Sequence, residues 1–376
     1  MFSRNERETR FARIRQILIE DKFKAMLLIG DGNISYGMCG DFRYYTNSRV
    51  IFYRQVAVVF PDSDPVHFAQ SDISRQAAAR WSFVTDCRTS PNLLAGITDL
   101  LKERGVTRGR VGVNFEMLPA AWHIQINHEL PQVELVETHE RIMGIRFQRS
   151  TEEANIYRHG AALGDGGFEA ALRVIKPGVT DYEIVAEIEH YARRHGAEEH
   201  FTLIASGKFT LGGENRMPLV YAPTGRRIEM GDSVMMEITP RFEGYWTQLV
   251  RTVNVGKNNR DLSKLHEVCR GAIERGLEEF QQGKMIKDVA VGMQNYASSR
   301  GYLLKLPLGH LCGIDLVEDR VSPENDFVLT PGTAVIIHPT VSTLNGKNSF
   351  FWGETYLLTE SGYDRLHRAT DELLTL

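Results

Sequence analysis

Two histidines and a glutamate stand where polar side chains are costly. His310 lies in KLPLGHLCGI and His338 in the strand-like run AVIIHPTV. An imidazole in such company must find a hydrogen-bond partner, and with an ordinary pKa of about 6.5 it can give or take a proton at neutral pH. Glu237 lies in VMMEITP, where alternation turns it to the same face as Met235 and Thr239. A carboxylate on a central strand calls for a cation, an imidazole or a metal ion. Gln248, in YWTQLVRT, reads by itself as a polar strand residue facing solvent. One chemistry that suits these residues is positioned proton transfer, as in C–N hydrolysis or an elimination. Another is a single divalent ion held by Glu237, His310 and His338, a two-histidine, one-carboxylate set with Gln248 as a weak fourth ligand. The residues by themselves leave both open.

The elements that must position these groups fall into two parts. Ser3 opens a capping box with Glu6, and Phe11, Ile14, Ile17 and Leu18 follow at helical spacing. Short apolar runs, AMLLIG (25–30), VAVVF (56–60), VHFA and VGVNF, then alternate with helical stretches at 74–81 and 91–105. That alternation predicts an α/β layer over about residues 1–140. A second capping box, Ser150 with Glu153, starts a helix that stops at Lys176-Pro177-Gly178, and Thr180 with Glu183 caps the next. Thereafter the texture is strand-like: FTLIAS, SVMMEIT, YWTQLVRTVNV, AVIIHPTV and ETYLLT, with one helical stretch over about 261–300. This predicts an α+β unit, with the division near 141–149 and domains of 1–143 and 144–376.

Composition narrows the classes of function. The chain has 376 residues, and 44 Lys+Arg against 48 Asp+Glu leave a net charge of −4, unlike a nucleic-acid binder. Cys39, Cys87, Cys269 and Cys312 are widely spaced and form no Cys-x-x-Cys pair, which suits a reducing cytoplasm. The charged amino terminus and the lack of a run near ~18 apolar residues argue against secretion and membrane insertion.

Five separated blocks, in order, resemble the creatinase and methionine/proline aminopeptidase ("pita-bread") family. They are Ile175-Lys-Pro-Gly-Val-Thr180; Gly231-Asp232 through Glu237 with Gly244 through Thr252; Gly309-His310 with Gly313; Leu329-Thr-Pro-Gly332 with Ile337-His338-Pro339; and Glu354 through Gly362. Most members of that family are dinuclear metallopeptidases with two Asp, one His and two Glu ligands. The resemblance carries those positions onto Glu237, Gln248, His310, His338 and Gly353, and only His310 is the family's residue. Two ions ~3.5–4 Å apart need anionic bridging oxygens, which Gln248 and Gly353 do not supply. A second histidine common near the substrate in the peptidases falls on Val317.

Creatinase is the family's metal-free member. After Ser206-Gly207, the position of its catalytic histidine falls on Glu214, or on Val220 in an ungapped alignment, and the glutamates that hold its guanidinium fall on Val250 and His338. Phe52-Tyr53-Arg54 precedes a strand as a Phe-x-Arg does in creatinase, where those side chains reach the neighbouring subunit and bind a substrate carboxylate. Glu354, beside the last ligand position, is taken as a further substrate-contact acid. The resemblance therefore implies an α+β pita-bread C-terminal domain preceded by a smaller α/β creatinase-type N-terminal domain. It implies a metal-independent hydrolase or lyase with no cofactor, acting on a small carboxylate-bearing substrate. Its catalytic residues are His310, His338 and Glu237, with Arg54, Phe52, Gln248, Glu214, Glu354 and Trp246 binding substrate in a cytoplasmic homodimer. One divalent ion in a peptidase-like site, and a non-catalytic peptide binder, are the alternatives.

Overall fold

A computed structural model describes residues 2–32, 39–207, 210 and 221–376. It divides into two compact units, Met1–Phe147 and Gln148–Leu376.

In the first unit the Ser3 hydroxyl accepts from the Glu6 amide and starts helix α1 (Arg4–Glu20). There follow β1 (Phe23–Asp31), α2 (Gly40–Thr46), β2 (Arg54–Val59), β3 (Val66–Ala69), α3 (Asp72–Trp81), β4 (Asp86–Thr89) and α4 (Leu93–Glu103). The unit closes with β5 (Arg108–Val113), α5 (Ala120–Glu129), β6 (Gln132–Glu137) and α6 (His139–Arg146). The strands form one sheet in the order β4-β3-β2-β1-β5-β6, and Ala25, Leu27 and Ile29 of β1 pack with Val56 and Val58 and with Leu93, Ile97 and Leu101 of α4. Helix α6 is tied to α2 through Asp41, which accepts from Arg146 at 2.7 Å and meets His139 at 2.8 Å. The division expected after residue 143 thus falls inside α6, whereas the two units part at Phe147–Gln148.

The second unit begins with two capped helices, α7 (Thr151–Val174) and α8 (Asp181–Arg194), each with its reciprocal capping box in place. Next come β7 (Glu199–Ser206), β8 (Ser233–Phe242), β9 (Tyr245–Trp246) and β10 (Leu249–Asn254). The helical stretch expected over about 261–300 consists of two helices, α9 (Arg260–Glu279) and α10 (Ile286–Ser299). Gly283, at φ 82°, sits in the break, in the left-handed region that glycine enters without the usual steric cost. The remaining strands are β11 (Tyr302–Lys305), β12 (Gly309–Leu311), β13 (Asp319–Arg320), β14 (Ala334–Ile337), β15 (Thr340–Thr343), β16 (Ser349–Phe351), β17 (Gly353–Thr359), β18 (Gly362–Arg365) and β19 (Leu374–Thr375).

The main sheet of this unit runs β13-β12-β14-β17-β10-β8-β7. Its helix side buries Ile204, Met236, Ile238, Leu249 and Val253 against Phe168, Ala171, Ile184 and Ile188. Each such side chain contributes roughly 1.5–3 kcal/mol, so this face fixes the sheet on which the opposite face displays its polar groups. Among the described residues no helix is long and apolar enough to cross a membrane.

Candidate active site

Strand register builds two rows of side chains on the face away from α7 and α8. Residues directly opposite in a ladder share a face. Leu203 lies opposite Glu237, Glu237 opposite Val250, and Val250 opposite Gly353. The second row starts with Phe201 opposite Thr239. Since Leu249 pairs with both Ile238 and Glu354, Gln248 comes into line with Thr239 and Thr355. Two hydrogen bonds hold it there: the Gln248 amide donates to Thr355 Oγ1 at 2.9 Å, and that hydroxyl donates to the Gln248 carbonyl at 3.1 Å. The row continues through Ile336 to His310. His338, two residues beyond Ile336, returns to the same face.

Four of the predicted groups interact directly with another predicted group, as two pairs. Gln248 is diagonal to Glu237, and its Nε2 donates to Glu237 Oε1. The His310 and His338 rings lie 5.1 Å apart, centroid to centroid, and His338 packs edge-on against Phe351 at 5.0 Å. His310 Nδ1 faces the Leu311 carbonyl at 3.3 Å. The Leu316 carbonyl is a second backbone acceptor for the same ring. His338 Nδ1 and Gln248 Oε1 are buried with no hydrogen-bond partner among the described residues.

Burial sets the proton affinities. It pushes the Glu237 carboxyl up to about 7, against the opposing donation from Gln248. It pushes His310 down to about 4, with the Leu311 carbonyl acting the other way, and His338 down to about 3, where the neighbouring His310 adds to the effect. The same face of the sheet thus carries a carboxyl poised to be protonated near neutrality and, on other strands, two neutral imidazoles, groups of the acid and base kinds that proton-transfer chemistry uses.

The same residues do not fit a dinuclear metal centre. A Cβ added at Gly353 would lie 2.0 Å from the Ile337 carbonyl oxygen, 2.5 Å from His338 Cα and 2.6 Å from His338 Cβ. No side chain, and no carboxylate, fits there without main-chain movement. Gln248 is neutral and committed to Glu237. Nor is the one-ion alternative assembled: among the described residues no three His, Cys, Asp or Glu side chains group so as to hold a metal, and this includes Glu237, His310 and His338.

Several expected contacts are corrected. Glu354 is one residue from Gly353, so it points to the helix side with Leu249 and Arg251. There it is bound by Arg251 at 2.6 Å, by Arg365 at 2.5 Å and by the Tyr356 hydroxyl at 3.1 Å. Trp246, opposite Arg241 on β8 and packed on Phe201 at the start of the second row, is fully buried beneath the Arg241 guanidinium. Glu214, with Val220, lies outside the described residues. In the first unit Arg54 opens β2, with its Nε 2.8 Å from the buried Asp31 carboxylate. Phe52 is 66% exposed, between exposed Ile51 and Tyr53. A hollow of about 800 Å³ in that unit, walled by Leu18, Lys22, Phe60 and Arg104, offers neither imidazole nor amide side chain.

Two features of the face were not read as part of the site. One is an apolar cluster of Ala205, Met235, Val250 and Phe351, separate from the helix-side core; alternation from Glu237 signals Met235 and the resemblance marks the position of Val250, but neither points to Ala205 or Phe351. The other is the steric role of Gly353, which has no local sequence signature.

The sequence pattern described as Metallopeptidase family M24 matches residues 155–360, and that of the Creatinase/Prolidase N-terminal domain matches 10–148. Creatinase from Bacillus sp. (strain B-0618) is 28% identical over 373 residues, covering 92% of this chain and 86% of that protein. An Xaa-Pro dipeptidase from Pyrococcus furiosus is 28% identical over 240 residues, 62% of this chain and 66% of the relative. Among solved structures, an Xaa-Pro dipeptidase from Bacillus anthracis superposes with a TM-score of 0.84 at 20% identity, over 98% of this chain and all of that one.

Proposed function

The chain belongs to metallopeptidase family M24, with a creatinase-type N-terminal domain before its pita-bread domain, and from that membership we propose a creatinase-like hydrolase that works by proton transfer through His310, His338 and Glu237. The observation that carries this reading is the face itself. Of the five positions at which the family places metal ligands, one has no room for a side chain and one is a neutral amide bonded to its neighbour. What remains is an acid–base set. In a C–N hydrolysis the His310 imidazole takes a proton from water as its oxygen bonds to carbon. The protonated Glu237 then delivers its proton to the departing nitrogen as the C–N bond breaks.

The substrate on this reading is small and polar, with a carboxylate for Arg54 of a second copy. An exposed aromatic loop beside a guanidinium in the first unit supports that role, because Arg can donate two parallel hydrogen bonds to a carboxylate.

The test pairs composition with turnover. Protein purified without chelator is analysed for metals, then assayed on N-substituted amino acids, ureido and guanidino acids and Xaa-Pro dipeptides. Turnover that survives chelator and disappears in His310→Ala is the expected result. A stoichiometric metal whose removal abolishes turnover defeats the proposal and favours a metal enzyme. Binding of peptides with no turnover in any class favours a peptide-binding role.

A further inference from the structure

The contact at Gly353 constrains the site from both sides of the sheet. On the open face, the place of its missing Cβ is taken by main chain, the Ile337 carbonyl and His338 Cα. On the helix face, Arg251 holds the glycine in place. This guanidinium is fully buried and donates to the carbonyls of Gly353 at 3.0 Å and Val250 at 2.9 Å, to the Thr370 carbonyl at 2.9 Å and to Glu354 at 2.6 Å. Gly353 therefore cannot retreat from the close approach without breaking a buried, charge-assisted network.

We infer, resting on the proton-transfer reading of this face, that Gly353 is a positioning residue: its missing Cβ lets the end of β14 close onto β17, and this closure sets the His338 ring beside His310 and bars a ligand at 353. Any side chain at 353 must push its Cβ contact with the Ile337 oxygen from 2.0 Å to an ordinary 3.4 Å or more. With Arg251 holding β17, the end of β14 gives way, and His338 moves with it. A backbone shift of about 1.4 Å is large for an interior packed at near-crystalline density. It exceeds the tolerance of roughly 0.5 Å within which a catalytic group works.

Two measurements test this without a known substrate. The first is Gly353→Ala, followed by thermal melting and by ring-carbon NMR of histidine-labelled protein, with His338 assigned by His338→Gln. The expected result is a lowered melting temperature with His338 and His310 signals displaced while the remaining histidines hold their positions. Unchanged His338 signals with an unchanged melting temperature overturn the inference and leave the proton-transfer reading intact. A uniform displacement of all histidines also overturns it, since that is the mark of general destabilisation.

Should that variant not fold, a second pair decides. Glu237→Asp/Gln248→Asp/His338→Glu restores family ligands around an untouched Gly353, and the same chain with Gly353→Glu adds the last. Each is titrated with Mn²⁺ and melted. The first is expected to fold and bind at most one ion per chain, and the second to melt far lower without gaining a second ion. Two ions per chain in a stably folded second variant overturn the inference. The proton-transfer reading fails separately, if the natural chain as purified carries an essential metal.

Discussion

Replacing Glu237 with glutamine should make the protein more stable, by a margin that grows as pH rises from about 4.5 to about 7 and levels off above neutrality. The folded carboxyl is raised by burial from 4.5 to about 7. Its protonated form is thus the one the fold favours, so its contribution is full below about pH 4.5 and is lost as pH rises through about 7. Each unit of difference is worth about 1.4 kcal/mol, so the loss approaches about 3 kcal/mol by pH 8. The glutamine side chain keeps an oxygen for the Gln248 Nε2 to donate to, has nearly the same shape, and never ionises. The variant should lie within about 1 kcal/mol of the natural chain near pH 5 and exceed it by about 3 kcal/mol from pH 7 to 8. In a unit of this size that corresponds to roughly 6–12 °C in melting temperature. His310 and His338 act with the opposite sign. Their depressed values make stability present above about pH 6.5 and lost as pH falls toward about 4 and 3. Because both proteins contain them, they cancel in the difference. The assay is a set of paired urea or thermal melts from pH 5 to 8. A difference curve that stays flat across that range, or a glutamine variant that is the less stable at pH 8, refutes the claim that Glu237 is a carboxyl held protonated by its surroundings.

Other outcomes can be checked independently. With His310 as base and Glu237 as acid, kcat/KM should rise through about pH 4 and fall through about pH 7; a profile that keeps rising above pH 8 contradicts the assignment. Glu354→Gln should cost about 3–5 kcal/mol, because it leaves the buried Arg251 short of an anion, and should leave the limbs of that profile in place. A shifted limb would return Glu354 to the site. Mixing Arg54→Ala with His310→Ala chains under subunit exchange should restore about a quarter of natural activity, since half the dimers are hybrids with one intact site; no recovery argues against a site completed by a second copy.

What could be read in the sequence was what is local. The capping boxes at Ser150 and Thr180 involve residues three apart, and both helices start there. Within one strand, the two-residue period put Glu237, Met235 and Thr239 on one face, as the register bears out. Between strands the sequence was silent. Nothing in YWTQLVRT announces that Leu249 pairs with Ile238, yet that offset alone makes Gln248 a diagonal neighbour of Glu237. Glu354 shows the penalty for missing parity. Its position in the chain is one residue from the site, and one residue along a strand is the other side of the sheet. Gly353 was noticed for the carboxylate it lacks, while its positive contribution, room for a crossing main chain, exists only in three dimensions.

The approach at Gly353 also has a direction in time. A side chain that blocks a neighbour can be trimmed by a second substitution, but here the obstacle is a carbonyl oxygen and an α-carbon, which every residue shares. A lineage can reach this arrangement by losing a ligand in one step. It cannot return by one, or by any pair confined to positions 338 and 353, because the strands themselves would have to part first. The glycine works as a ratchet: substitutions around the two imidazoles stay open, while a side chain at 353 is barred by a wall of backbone.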